Sequence, residues 1–188
     1  MLKRALFGLV AGTVLVLPLV SGAPATAATP SVQAVTTLTY DDSQAAEFKT
    51  AVAQGVAVWN SKVTNVRIVK APVGTRANVR VIADNNWPRA TLGPVRASGS
   101  GTVFMGRQAV AQGHNPTRIA SHEFGHILGL PDNRTGLCTD LMSGSSAGTG
   151  CTNPNPNSRE IAAVQRNYSS GLAAQRQEDQ AVMIVDAG

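Results

Sequence analysis

The stretch Asn115-Pro116-Thr-Arg-Ile-Ala-Ser-His122-Glu123-Phe-Gly-His126-Ile-Leu-Gly129-Leu-Pro-Asp132 decides how this chain is read. Asn115 carries the short polar side chain favoured at a helix N-cap, and Pro116 suits the first helical position. Gly129 suits a left-handed C-cap, so the spacing predicts a helix between them. Ala120, Phe124, Ile127 and Leu128 form its apolar face. His122 and His126, four residues apart, then lie one above the other. Two imidazoles so placed can share a zinc ion at about 2.0–2.1 Å. Glu123 projects beside that metal, where a general base must stand to take a proton from a polarised water. After Gly129 the chain can turn back at positive φ, returning Asp132 as a third ligand. Three protein ligands leave the fourth position open, which is the arrangement of catalytic rather than structural zinc.

Upstream, Lys3 and Arg4 precede an apolar run over 5–20, and Ala25-Thr26-Ala27 fits the small-x-small rule for signal cleavage. The run falls short of the roughly 20 residues of a stable bilayer span. Residues 1–27 are expected to be a signal peptide, and 28–37 a linker or short pro-segment. No later run is long enough to span, so no membrane association is expected after signal removal. The full chain has 16 basic and 11 acidic residues, two of the basic ones in the signal segment. The small remaining excess is unclustered and argues against a nucleic-acid partner. About 150 to 160 residues remain, enough for one domain with its own core. Two cysteines, Cys138 and Cys151, in a chain bound for an oxidising compartment read as one disulfide.

Working outward, residues 37–40 open a first strand, and Asp42 or Ser43 is expected to cap a helix running to about Asn60. Ala45, Phe48, Val52, Val56 and Trp59 carry its buried stripe. Residues 66–69, 78–84 and 102–105 read as strands. Residues 85–101, which hold Pro and Gly, read as a connection. Asn157, with Glu160 three residues on, can start a last helix through Tyr168. In the tail, 181–185 is either a stray strand or without structure.

The zinc-helix stretch resembles the metzincin metallopeptidases, whose motif extends His-Glu-x-x-His with a Gly and a third ligand before a methionine-containing turn. Within them it is most similar to the snapalysin family, in which the third ligand is Asp. The likeness extends to Leu141-Met-Ser-Gly144, Cys151-Thr-Asn-Pro154, Thr39-Tyr-Asp41 and Trp59-Asn60, and covers about residues 38–168; the tail, 169–188, lies outside it. It implies an α+β domain: a twisted mixed sheet with two long helices and an irregular, disulfide-braced lower part. It implies a secreted zinc endopeptidase acting on proteins or peptides, with His122, His126 and Asp132 as zinc ligands and Glu123 as base. Met142 becomes the turn methionine and Cys138–Cys151 the bridge spanning that turn. Cleavage before bulky, often aromatic residues is implied too, and a monomer is expected.

Two positions depart from the family pattern. Arg134 stands where the family has a Tyr thought to help stabilise the oxyanion. A guanidinium there is either an oxyanion partner or a solvated surface charge. The family's calcium site near the helix start uses an Asp and a Thr. Thr117 matches, but Asn115 replaces the Asp, and losing a carboxylate weakens a hard-cation site. Two rival readings are a third ligand from the last helix, Glu160, and a secreted zinc-binding module without turnover. Substrate is expected to add to the sheet's edge strand, taken as residues 102–105, across a cleft from the zinc helix.

Overall fold

The computed structural model describes residues 34–169 and 182–186. The expected signal peptide and the start of the linker lie outside the described residues, as does most of the tail. In chain order the elements are β1 (Thr36–Gln44), α1 (Lys49–Lys62), β2 (Val66–Lys70), β3 (Val79–Asp84), β4 (Arg89–Leu92) and β5 (Gly101–Gly106). They continue with α2 (Arg107–Ala111), α3 (Pro116–Ile127), α4 (Ser158–Asn167) and β6 (Val182–Val185).

The strands form one mixed sheet, ordered β2-β1-β3-β5-β4-β6. β2, β1, β3 and β5 run parallel, while β4 is antiparallel to β5 and β6 antiparallel to β4. Alternation sends Leu38 and Tyr40 of β1, and Val79 and Val81 of β3, into the core. α1 buries Val52, Val56 and Trp59 against α3 and the sheet. The Trp59 Nε1–H donates to the Ser121 carbonyl at 2.8 Å, joining α1 to α3 by a buried polar contact. Tyr40 meets Phe124 edge-on at 6.0 Å, tying β1 to the same helix. α3 is therefore covered along most of its length, and His122, Glu123 and His126 are buried within the fold. Beyond it the chain is irregular, with a 3-10 stretch at Leu141–Ala147 and a Cys138–Cys151 disulfide. This is the α+β, metzincin-like arrangement of a twisted mixed sheet, two long helices and a disulfide-braced lower part.

Three local expectations are corrected. α1 starts at Lys49, after a 3-10 turn, rather than at a cap on Asp42 or Ser43. Asp42 is buried at the end of β1 and takes an ion pair from Lys70 at 2.8 Å, so its carboxylate is engaged across the sheet. Residues 102–105 lie in β5, an interior strand with neighbours on both sides. β5 does pack against α3, but the outer strands on that side are β4 and β6. β4 lies inside the span read as a connection, and 182–185 forms a paired strand.

Candidate active site

α3 begins as its residues dictate: the Asn115 side chain accepts the Arg118 N–H at 3.0 Å, with Pro116 at the first helical position. It ends at Gly129, whose φ of +92° releases the chain into a reverse turn. The turn puts the Leu130 carbonyl 2.7 Å from His126 Nδ1. His122 Nδ1 lies 3.0 Å from the Leu141 carbonyl. A carbonyl accepts only, so each Nδ1 carries a proton and each Nε2 is the nitrogen turned inward, able to ligate once unprotonated.

The rings stand edge-to-face with centroids 4.6 Å apart. Asp132 Oδ1 lies 3.2 Å from His122 Nε2 and 3.6 Å from His126 Nε2. Donors about 2.0–2.1 Å from a tetrahedral zinc stand about 3.3–3.4 Å from one another, so this spacing fits a zinc-sized cation. Both Nε2 atoms, Asp132 Oδ1 and both Glu123 carboxylate oxygens are buried without a hydrogen-bond partner. Buried polar atoms are seldom orphaned; the two Nε2 atoms and Asp132 Oδ1 converge as a cation would require, with Glu123 beside His122.

The charges reinforce one another. Burial works against charge on His122, but Asp132, Glu123 and Asp186 outweigh it and hold its pKa up to about 9. Burial and the neighbouring His122 charge push His126 down to about 4. Burial opposes ionisation of Asp132 as well, yet His122, His126 and Arg134 hold its carboxyl below the usual range. Glu123 is fully buried, which raises its carboxyl well above the ordinary glutamate value. A carboxyl shifted in this way is a common mark of catalytic sites.

The other expected residues fall as follows. Met142 is buried beneath α3, where a Cβ on Gly125 would stand 2.5 Å from its sulfur. Arg134 has its Nη2 3.1 Å from Asp132 Oδ2 and its backbone at a positive φ of 38°. Asn115 Oδ1 is occupied as a helix cap, and Thr117 Oγ1 donates to Gln54 at 2.7 Å. Glu160 sits away from the cluster. Its carboxylate closes the capping box of α4 with Asn157 and accepts the Leu141 and Met142 N–H groups. That occupation excludes it as the third donor. His114 lies against Trp87, ring centroids 5.8 Å apart.

Two residues near the cluster have roles that patterning did not reveal. Arg118 is buried one turn before His122 and donates to the carbonyls of Asn153 at 2.6 Å and Asp140 at 2.9 Å. It thereby ties the disulfide loop to α3. An arginine among apolar helix positions was the available signal. Asp186, the residue after β6, groups its carboxylate with His122 and Glu123. Nothing local in the tail announced this.

A mixed sheet under a His-Glu-x-x-His helix, with a methionine turn below, defines a metzincin-type peptidase fold. The chain belongs to the Streptomyces extracellular neutral proteinase (M7) family, whose model matches residues 34–171. It is 40% identical over 147 residues to an extracellular small neutral protease of Streptomyces coelicolor, covering 78% of this chain and 66% of that one. It is 38% identical over 148 residues to the protein of that name from Streptomyces sp. (strain C5), covering 79% and 63%. A third relative of the same name, from Streptomyces caespitosus, is 37% identical over 135 residues, covering 72% and 98%. The chain thus spans slightly under two thirds of the first two relatives. No helix among the described residues is long and apolar enough to cross a membrane.

Proposed function

We propose that the chain is a secreted zinc-dependent endopeptidase that hydrolyses peptide bonds in protein or peptide substrates. The observation that carries this reading is the convergence of His122 Nε2, His126 Nε2 and Asp132 Oδ1, orphaned and buried beside Glu123. These three residues would hold the ion. Zinc, when bound, supplies Lewis acidity that polarises water and the scissile carbonyl.

The chain's own residues do the rest. The Leu130 and Leu141 carbonyls fix the imidazoles, so both Nε2 atoms point inward. The Glu123 carboxylate accepts a proton from the attacking water and returns it to the leaving amine nitrogen. Burial of Glu123 raises its proton affinity above that of an ordinary glutamate, which favours taking the proton from water. Arg134 holds Asp132 Oδ2, which leaves Oδ1 aimed at the imidazoles.

Extracellular relatives and the signal-like N-terminus support secretion. A peptide-library digest with and without a chelator, repeated on Glu123→Gln, tests the proposal. Chelator-sensitive cleavage before bulky residues is expected, with a loss of roughly 10² or more in Glu123→Gln, which should keep its metal. Full metal content without hydrolysis would favour the zinc-binding module instead.

A further inference from the structure

We infer that the tail is an autoinhibitory element: β6 occupies the sheet edge that substrate needs, and the Asp186 carboxylate stands beside His122 and Glu123. This rests on the peptidase reading above. β6 pairs antiparallel with β4 in the register Leu92–Val182, Thr91–Met183, Ala90–Ile184 and Arg89–Val185. The Asp186 N–H extends the contact to the Pro88 carbonyl at 3.0 Å. An extended peptide that binds by strand addition would need the same row of main-chain groups on β4.

The strand leads straight into the site. Asp186 is 6% exposed, and one of its carboxylate oxygens lies within 4.8 Å of donor atoms from both His122 and Glu123. Its Oδ1 is 3.4 Å from the Ser145 backbone N–H and 3.4 Å from the Ser145 hydroxyl. The Arg134 guanidinium stands 3.8 Å away. A buried carboxylate there stands beside Glu123 and His122 rather than among His122, His126 and Asp132 together, so it crowds the side of the site where Glu123 would meet the attacking water.

The strand is attached in a way that permits release. Val182, Met183 and Val185 remain 43–50% exposed, so β6 buries little apolar surface. Its hold comes from main-chain pairing and the Asp186 carboxylate, both of which a substrate strand and water can replace. Little apolar burial marks a segment that detaches at low free-energy cost.

Two variants of the full chain carry the test. Asp186→Asn keeps the strand and removes the charge, whereas Ile184→Pro breaks the strand in its middle. Each should raise kcat/KM on a peptide substrate at least tenfold above the unaltered chain. A synthetic peptide of residues 182–186 should inhibit the Ile184→Pro protein, and its Asp186→Asn version should be at least tenfold weaker. Two readouts do not depend on turnover. The β4 amides should exchange hydrogen at least tenfold faster in Ile184→Pro, and Asp186→Asn should change the visible spectrum of the cobalt-substituted protein. Active variants with unaltered kcat/KM would overturn the inference and leave the peptidase reading standing. If all three chains were inert though fully metal-loaded, the peptidase reading would fail. Exchange and the cobalt spectrum would then decide whether the tail occupies the site, and no change in either would overturn that too.

Discussion

Asp132 divides its carboxylate between two tasks: Oδ1 faces the Nε2 atoms of His122 and His126, while Oδ2 takes the Arg134 guanidinium at 3.1 Å. On the proposed ligand set, Arg134 would act through Asp132 rather than by facing the reacting carbonyl. Partners of this kind typically contribute about 10–100-fold to metal affinity. Arg134→Ala should therefore weaken zinc binding by about tenfold and leave kcat near normal at saturating zinc. A roughly hundredfold or greater loss of turnover at full metal occupancy would instead assign Arg134 to the oxyanion.

Glu160 holds the methionine turn from below. Its buried carboxylate accepts from the N–H groups of Leu141 at 3.2 Å, Met142 at 2.8 Å and Asn157 at 2.7 Å. Orphaning buried donors costs about 1–3 kcal/mol each, partly recovered by water. Glu160→Ala should destabilise the fold by about 3 kcal/mol in urea unfolding, and Glu160→Gln by less. Unchanged stability with lost metal would make Glu160 a donor candidate again.

Gly125 is the point where α3 touches the turn. A Cβ there would meet the Met142 sulfur at 2.5 Å and Trp59 at 3.4 Å. Met142 can swing, but it is buried with little room to move. Overpacking of this kind costs about 1–3 kcal/mol, the range expected for Gly125→Ala by thermal unfolding. A neutral outcome would mean that the turn does not bear on the helix.

Protons compete with the metal for His122, whose pKa without metal is held up to about 9. At pH 7 zinc must therefore displace a proton from it, so affinity rises with pH and the gain fades above about 9. Before metal is added, the same shift stabilises the fold fully below the ordinary value of 6.5 and is lost as pH climbs through about 9. Calorimetric zinc titrations of chelated protein in buffers of different ionisation enthalpy should show proton release near pH 7. Release that is absent at pH 7 would contradict the charge state assigned to His122.

What was legible in the sequence is what local chemistry determines. Asn115, Pro116 and Gly129 bounded α3, and His122, Glu123 and His126 had their positions from helical spacing alone. Asn157 and Glu160 likewise announced the capping box of α4. β4 was not legible, because Arg89-Ala-Thr-Leu92 follows Pro88, precedes Gly93-Pro94, and buries its two central residues together. Its extended form comes from pairing with β5 and β6, which no local pattern encodes. The late start of α1 has a similar cause, since Asp42 is engaged by Lys70 from β2. Arg118 and Asp186 gained their roles only from the folded neighbourhood.

The zinc site is tested most directly by the zinc content of purified Asp132→Ala and His114→Ala proteins, measured beside the unaltered chain. The chain has three histidines, and His114 is the one outside the helix pair. It lies against Trp87 rather than with the converging donors. About one zinc per unaltered chain is predicted, most of it lost in Asp132→Ala, with little change in His114→Ala. Metal kept by Asp132→Ala and lost by His114→Ala would contradict the assignment of Asp132 as the third ligand.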